Sequence, residues 1–247
     1  MKIHWLGVSV LSLFCLSLLV QESSAGPLTS TDVFDNWTAT GSPINGQTAG
    51  SWVNSGTAIV ATNNHVGALV SDVTAFGLFS FSADSVARDN DTFGLMWGYQ
   101  DNANHYRFSW AIDYGETGVG ASPSEGFDGP FDGFKIIKEV AGVSSVLFSS
   151  DTEYLLNRKY NLSVSGTATG FQVVVKDTST LANLFNVSVN DTTFTTGKVG
   201  FHELFQANGN VWDNFNLNIP SAPVPEPASF VVWVGLAGIA QWRRKRQ

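Results

Sequence analysis

Acidic and amide side chains collect on both sides of one aromatic stretch, residues 92–99, and are the first candidates for chemistry. Three acids and an amide precede the stretch, and one acid and two amides follow it: Asp84, Asp89, Asn90, Asp91, Asp101, Asn102 and Asn104. Carboxylate and amide oxygens are the ligands that calcium prefers. The sequence therefore predicts calcium as a cofactor, with Asp89, Asp91, Asp101 and Asn102 as its ligands. Asp and Asn also populate turns by bonding their own backbone, and that interpretation stays open.

A second candidate site lies near the end of the chain, at residues 211–218. Strict alternation along a strand would put Val211 and Phe215 on one face and Trp212, Asn214 and Asn216 on the other. An aromatic ring can cover the apolar side of a sugar while neighbouring amides bond its hydroxyls. We therefore predict that Trp212, Asn214 and Asn216 bind a ligand. An ordinary surface tryptophan is the alternative.

Catalytic patterns are weak in this sequence, and no catalytic residue is predicted. Glycoside hydrolases need paired carboxylates aimed at one bond. The i,i+2 acid pairs Asp89 with Asp91 and Asp151 with Glu153 lie in polar, turn-like contexts. No Gly-x-Ser-x-Gly motif is present, and the histidines at 65, 105 and 202 lack the short spacing of a zinc site.

The segments between the termini alternate with a period of two and are separated by Gly, Asn, Asp and Ser, which predicts an antiparallel β-sandwich or barrel. The longest element is an aromatic hairpin, with strands near 92–99 and 105–112 around a turn at 101–104. Five later strands are predicted at 160–164, 171–175, 184–189, 199–205 and 211–217.

Both termini are predicted to direct export rather than to join the fold. Lys2, an apolar run over 5–20 and the small residues at 23–25 predict a signal peptide over 1–25. The chain's one cysteine, Cys15, lies inside it, so a domain over 26–219 has no disulfide or thiol nucleophile. The formal net charge is −8, which argues against nucleic acid as a partner.

The C-terminal segment has three parts. A Pro-rich linker over 220–227 contains the box Val224, Pro225, Glu226 and Pro227, an apolar run covers 228–242, and a basic cluster follows: Arg243, Arg244, Lys245 and Arg246. As a helix the apolar run is about 22 Å long, against a hydrocarbon core of about 30 Å. The cations are expected to stay on the cytoplasmic side, so this helix is a marginal membrane anchor with the domain outside.

This tripartite tail resembles the PEP-CTERM sorting signal of Gram-negative bacteria that secrete extracellular polysaccharide. The resemblance implies that an exosortase removes the tail after signal peptidase has acted at the N-terminus. It also implies an inner-membrane intermediate, followed by release to the cell surface or the extracellular matrix. An ordinary C-terminal anchor over 228–247 is the alternative.

Two further segments of the sequence resemble parts of known extracellular domains. Residues 91–110 look like the aromatic hairpin of thrombospondin C-terminal-like domains, and Gly197–Phe201 followed by Val211–Phe215 is similar to the last strands of laminin G-like domains. Together they imply a concanavalin A-like jelly-roll sandwich over about 32–218. The fold expected is therefore all-β, an antiparallel jelly-roll β-sandwich flanked by an N-terminal signal helix and a C-terminal transmembrane sorting helix.

These features predict an exported, noncatalytic protein that binds extracellular polysaccharide or a matrix protein. A polysaccharide hydrolase or lyase, with acids drawn from separate strands, and a purely structural matrix protein are the alternatives.

Overall fold

The computed structural model describes residues 27–41, 51–62, 66–114, 131–204 and 209–219. The predicted signal peptide, the Pro-rich box at 224–227 and the basic cluster at 243–246 lie outside these residues. Within the described ranges, no helix has the length and apolar character needed to cross a membrane.

The described residues form fifteen strands and one short helix. Their bounds are β1 Pro27–Leu28, α1 Ser30–Asn36, β2 Trp37–Gly41, β3 Ser51–Asn54, β4 Ile59–Thr62, β5 Val66–Phe76, β6 Ser80–Val86, β7 Thr92–Asp101, β8 Asn104–Tyr114, β9 Phe131–Val140, β10 Val143–Ser150, β11 Lys159–Thr167, β12 Gly170–Asp177, β13 Asn183–Val189, β14 Thr196–Leu204 and β15 Val211–Asn218. The predicted all-β fold is confirmed.

The strands make two antiparallel sheets. The eight-stranded sheet has the order β13-β12-β11-β6-β15-β4-β3, with β1 also paired to β15, and the seven-stranded sheet has the order β10-β9-β8-β7-β14-β5-β2. The last two strands therefore lie inside the two sheets, one in each. Because chain neighbours such as β14 and β15 belong to different sheets, the fold is a sandwich with crossing connections.

An aromatic core fills the space between the sheets. Trp110 of the seven-stranded sheet is fully buried and lies 4.8 Å, ring centre to ring centre, from Tyr160 of the eight-stranded sheet. Phe134 and Phe185 stack across the same gap at 4.2 Å. Large rings bury much apolar surface, and their edge-to-face contacts add about 0.5–1.5 kcal/mol per pair. This core is the main stabilising element of a domain with no disulfide.

The predicted aromatic hairpin is confirmed as β7 and β8. Its register pairs Phe93 with Trp110 and Trp97 with Tyr106, and these four side chains point into the core. The five later predicted strands are also present, as β11 to β15. Sequence reasoning missed the strands β1 to β6 and the hairpin β9–β10. It also missed the helix α1, which is seven residues long and begins with a capping box between Thr29 and Asp32.

Candidate functional site

Trp212 does not lie on a polar face, and its prediction as an exposed sugar-binding ring is wrong. The side chain is fully buried, and its Nε1 donates a hydrogen bond of 2.7 Å to Oε1 of Glu203. The cause is a β-bulge: the pairing of β15 with β6 shifts between Asp213 and Asn216, and Asn214 adopts φ 53°. The extra residue resets the alternation, so that Trp212, Phe215 and Leu217 all face the core.

Asn214 and Asn216 are exposed on the outer face of the eight-stranded sheet, as predicted. Asn214 Nδ2 donates to Oδ2 of Asp84 at 3.3 Å, and Lys159 Nζ lies 2.8 Å from both carboxylate oxygens of Asp213. The positions that follow Asn216 across the ladder are occupied by serine and valine side chains: Ser82, Ser163 and Val174. On this row of described residues the amides therefore have no aromatic ring beside them.

The predicted calcium ligands at the hairpin tip have local partners. Asp101 Oδ1 accepts hydrogen bonds from the backbone N–H of Ala103 at 2.8 Å and from Asn104 Nδ2 at 2.9 Å. Asn102 Oδ1 accepts a hydrogen bond from the Tyr99 hydroxyl at 2.8 Å. Here Asp and Asn perform the turn-forming role that the sequence left open.

Asp89 and Asp91 lie at the opposite end of β7. That strand has ten residues, which corresponds to about 30 Å. The Tyr154 hydroxyl lies 2.6 Å from the backbone carbonyl oxygens of both Asp89 and Asp91. One ion cannot contact both ends of the strand, so the four residues do not fit a single calcium site. Within the described residues, no group of three or more His, Cys, Asp or Glu side chains could hold a metal ion.

The central strands of the seven-stranded sheet are buried on both faces. Along β8 the core-facing residues Tyr106, Phe108 and Trp110 alternate with His105, Arg107 and Ser109, and all six are at most 2% exposed. The second set shares the outer face of the sheet because side chains alternate along a strand.

Four side chains on this outer face form what we call the Arg107 cluster: His105, Arg107, Glu139 and His202. The ladder places Glu139 of β9 opposite His105, and His202 of β14 opposite Gly94 of β7. Arg107 Nη1 donates to Glu139 Oε2 at 2.6 Å and to His105 Nε2 at 2.9 Å. A Cβ added to Gly94 would lie 2.8 Å from His202 Nε2, so the glycine leaves room for the imidazole against the sheet.

The hydrogen-bond partners define the tautomers of the two histidines. Arginine is only a donor, so His105 Nε2 accepts, whereas His202 Nε2 donates to the Phe108 carbonyl oxygen at 2.5 Å. Burial lowers the pKa of His105 well below its usual value, and the charge of Arg107 acts in the same direction. Burial also lowers the pKa of His202 to about 3. Both imidazoles are therefore neutral at pH 7.

Among the residues that the structure describes, several polar atoms of the cluster have no hydrogen-bond partner. They include Nε and Nη2 of Arg107 and Nδ1 of His202, and the side chains that carry them are 2% and 3% exposed. Buried donors without partners are rare because each one costs about 1–3 kcal/mol, and more when the group is charged. The described residues therefore leave two donors of Arg107 and one acceptor of His202 unsatisfied.

A second feature is an open cleft at one end of the sandwich. Its volume is about 130 Å³, and it lies among the turn β5–β6, the turn β11–β12 and the connection β13–β14. Apolar side chains of Leu78, Phe79 and Phe194 line it together with four threonines: Thr167, Thr192, Thr195 and Thr196. Leu78 is 58% exposed, so solvent and solutes reach this cleft directly.

The cleft also contacts a structural ion pair. Asp191 at its edge accepts hydrogen bonds from Lys138 Nζ at 2.6 Å and from the Tyr106 hydroxyl at 2.5 Å. These contacts hold the pKa of Asp191 far below its usual value although partial burial opposes the shift. The carboxylate is therefore ionised and fixed, which keeps the connection β13–β14 in place.

The chain matches no protein-family model and none of the curated proteins. Solved structures do match. They include the carbohydrate-binding module CBM66 from Bacillus subtilis, with a TM-score of 0.53 and 17% identity over 74% of this chain and 95% of that one. The VIP36 exoplasmic/lumenal domain, in a form bound to Ca²⁺ and Man3GlcNAc, has a TM-score of 0.56 and 10% identity over 80% of this chain and 90% of that one.

A plant lectin, lectin II from Ulex europaeus, matches with a TM-score of 0.53 and 10% identity over 74% of this chain and 92% of its own. The fold is that of a lectin-like β-sandwich. Identity this low shows the shared architecture, and it confirms the coarse expectation of a concanavalin A-like sandwich.

Sequence reasoning missed the Arg107 cluster as a group. The alternation along β8 does place His105 and Arg107 opposite the aromatic face. Glu139 and His202, however, lie 32 and 95 residues after Arg107 in the sequence. Only the strand order β9-β8-β7-β14 brings them to the same face of the sheet.

Proposed function

We propose that this is an exported, noncatalytic carbohydrate-binding protein whose glycan site is the cleft at the end of the sandwich. One observation supports this most directly: the cleft combines exposed and half-buried apolar side chains with a rim of threonine hydroxyls. A sugar ring offers a matching pair of surfaces, an apolar face and a rim of hydroxyls. Binding sites of this kind are concave, mostly apolar and equipped with a few orienting polar groups.

The fold likeness supports the same proposal. Three solved structures with a similar fold are a carbohydrate-binding module, a lectin and a domain bound to a mannose-containing glycan. We propose the exposed amides of Asn214 and Asn216 as secondary contacts. They lie on the outer face of the eight-stranded sheet, where a long polysaccharide bound in the cleft could extend.

The export signals complete the proposal. A signal peptide over 1–25 and a sorting signal over 224–246 place the domain at the cell surface or in an extracellular polysaccharide matrix, with signal peptidase and an exosortase as transient partners. The proposal does not include a calcium site formed by Asp89, Asp91, Asp101 and Asn102. These residues lie in two pairs at opposite ends of β7 and cannot bind one ion together.

The experiment compares two matched leucine variants. Leu78 lines the cleft and Leu155 lies outside it, and both are 58% exposed. On a glycan array, followed by titration calorimetry with the best ligand, Leu78→Ala of the full-length chain should bind about 5- to 30-fold more weakly. That range corresponds to the roughly 1–2 kcal/mol of apolar contact that a leucine contributes. Leu155→Ala should bind like the wild type.

The outcomes separate the proposal from its alternatives. Equal affinity for both variants would remove the cleft from the proposal, and no binding to any glycan would favour a purely structural matrix protein. Release of reducing or unsaturated sugar ends from the producing organism's own polysaccharide would contradict the noncatalytic assignment.

A further inference from the structure

The cleft at the end of the sandwich offers no cation to a ligand. Among the described residues that line it, Asp191 is the one ionisable side chain. Its carboxylate already accepts hydrogen bonds from Lys138 Nζ, from the Tyr106 hydroxyl and from the backbone N–H of Thr193. A ligand carboxylate placed in the cleft would meet a like charge, and burying a charge without a partner is costly. The lining therefore favours a neutral ligand.

The polar groups of the cleft are few and weak. Two of its backbone N–H groups bond within the protein: that of Gly77 donates to the Thr195 carbonyl oxygen at 2.9 Å. That of Gly166 donates to the Phe79 carbonyl oxygen, also at 2.9 Å. Among the described residues of the lining, no side chain carries an amide, imidazole or guanidinium group. The exposed threonine hydroxyls are thus the main groups left to bind the hydroxyls of a sugar.

Two aromatic side chains form fixed apolar walls of the cleft. Phe79 and Phe194 are partly buried and pack against the core of the sandwich. A Cβ added to Gly166 would lie 2.7 Å from the Phe79 ring, and one added to Gly98 would lie 2.9 Å from Phe194 Cβ. The two glycines therefore permit a close packing that holds both aromatic residues in place. Walls that are already ordered lose little side-chain freedom when a ligand binds.

These properties discriminate among sugars at carbon C6. A pyranose ring of one stereochemistry can carry a hydroxymethyl, a carboxylate or a methyl group at this carbon. A methyl group gains contact with an apolar wall and needs no hydrogen bond. A hydroxyl group that is removed from water against the same wall needs a partner, and the lining has few to offer.

We propose that the cleft binds 6-deoxyhexoses, neutral sugars with a methyl group at C6, in preference to the parent hexoses and to uronic acids. This inference rests on the proposed function, since it names the class of sugar that the same cleft takes. The methyl group packs against the apolar side chains of Leu78, Phe79 and Phe194, and the ring hydroxyls bond to the threonine rim. The domain thereby distinguishes polysaccharides that contain deoxy sugars from those built of hexoses or uronic acids.

The first test uses sugars that differ only at C6. The methyl glycosides of D-fucose, D-galactose and D-galacturonate carry a methyl, a hydroxymethyl and a carboxylate group on the same ring, and the gluco and manno series supply equivalent sets. Titrated into the full-length wild type, the 6-deoxy member of the series that binds best should bind about 5-fold more tightly than its parent hexose, or better. That ratio corresponds to about 1 kcal/mol. The uronate should bind most weakly.

The outcomes of this titration separate the inference from the proposed function. Equal or tighter binding of the parent hexose overturns the preference for 6-deoxy sugars and leaves the proposed function intact. Tighter binding of the uronate does the same. Absence of binding in every series overturns both.

The second test locates the methyl group of the bound sugar. In saturation-transfer difference NMR, the C6 methyl protons should receive more saturation than the ring protons, because the methyl group faces the protein. Leu78→Ala should weaken binding of the 6-deoxy sugar about 5-fold or more, whereas Leu155→Ala, at an equally exposed position outside the cleft, should leave it unchanged. Weaker saturation of the methyl than of the ring protons, or unchanged binding in Leu78→Ala, overturns the inference.

Discussion

Glu203 illustrates how strongly a single residue's behaviour depends on the interior. It lies on the core side of β14, is 3% exposed and accepts a hydrogen bond from Trp212. Burial raises its pKa to about 8, although the hydrogen bonds from Trp212 and from the Asn210 backbone oppose the shift. Near neutral pH the native protein thus keeps a proton that the unfolded chain has released.

This proton links stability to pH in a defined direction. Between the usual pKa of 4.5 and the native pKa of about 8, the native state binds more protons than the unfolded state. The stabilising contribution of Glu203 is fully present below pH 4.5 and is lost as pH rises to 8, at up to about 1.4 kcal/mol per pH unit.

Glu203→Gln should remove this loss, because the amide keeps an acceptor for Trp212 without a charge. Denaturant unfolding from pH 5 to pH 8 should show the variant gaining stability relative to wild type as pH rises. Glu153→Gln, at an exposed position, is the control and should follow the wild-type curve. Parallel curves for Glu203→Gln and wild type would contradict the assignment of a buried, protonated acid.

At the scale of elements, the hairpin β9–β10 shows strain that the sequence did not reveal. Its two-residue turn consists of Ala141 with φ 51° and Gly142 with φ 78°. Positive φ at both positions is the type I′ geometry that suits the twist of a hairpin, and Asn-Gly is its preferred sequence. Alanine at the first position is costly because its Cβ crowds the carbonyl oxygen in the left-handed region.

Ala141→Asn should therefore stabilise the domain by about 0.5–1 kcal/mol. The Ala141 backbone N–H donates to Asn104 Oδ1, and that bond is kept because the substitution changes only the side chain. Thermal unfolding measures the gain. Ala182→Asn, at an exposed position without positive φ, should not reproduce it, and an equal or larger gain there would point to a general effect of asparagine.

The same turn also contacts the neighbouring hairpin tip at 101–104. Asn104 bridges the two tips through its contacts with Asp101 and Ala141, and Gly142 N–H donates to the Ala103 carbonyl oxygen at 3.0 Å. The acidic and amide residues at this end of β7 thus connect two neighbouring hairpins of the seven-stranded sheet.

At the scale of the whole molecule, the sorting proposal makes a separate prediction. Glu226→Ala should prevent removal of the tail in the producing organism, so that the chain stays in the membrane fraction with its full C-terminal mass. The wild type should be released with a shorter C-terminus, which mass spectrometry detects. Glu153→Ala is the control, and identical processing of all three chains would favour an ordinary anchor.

The sequence by itself determined the elements whose pattern is local. Alternation of aromatic and polar residues was enough to place β7, β8 and β11 to β15, because a strand with one buried face shows a period of two. The strands β1 to β6, β9 and β10 were not predicted. Among them β5 is interrupted by small residues and β9 follows a Gly-rich stretch, and α1 is too short for a helical period. The export signals are also local patterns of composition and length, and they stay predictions because their residues lie outside the described ranges.

Only the tertiary structure decided which residues meet. The bulge at Asn214 turned Trp212 inward, and no period-two pattern reports an inserted residue. The length of β7 separated the predicted calcium ligands, and the strand order assembled the Arg107 cluster from β8, β9 and β14. The physical reason is common to all three: alternation is a property of one strand, whereas burial and contact depend on which strands pair and in which register.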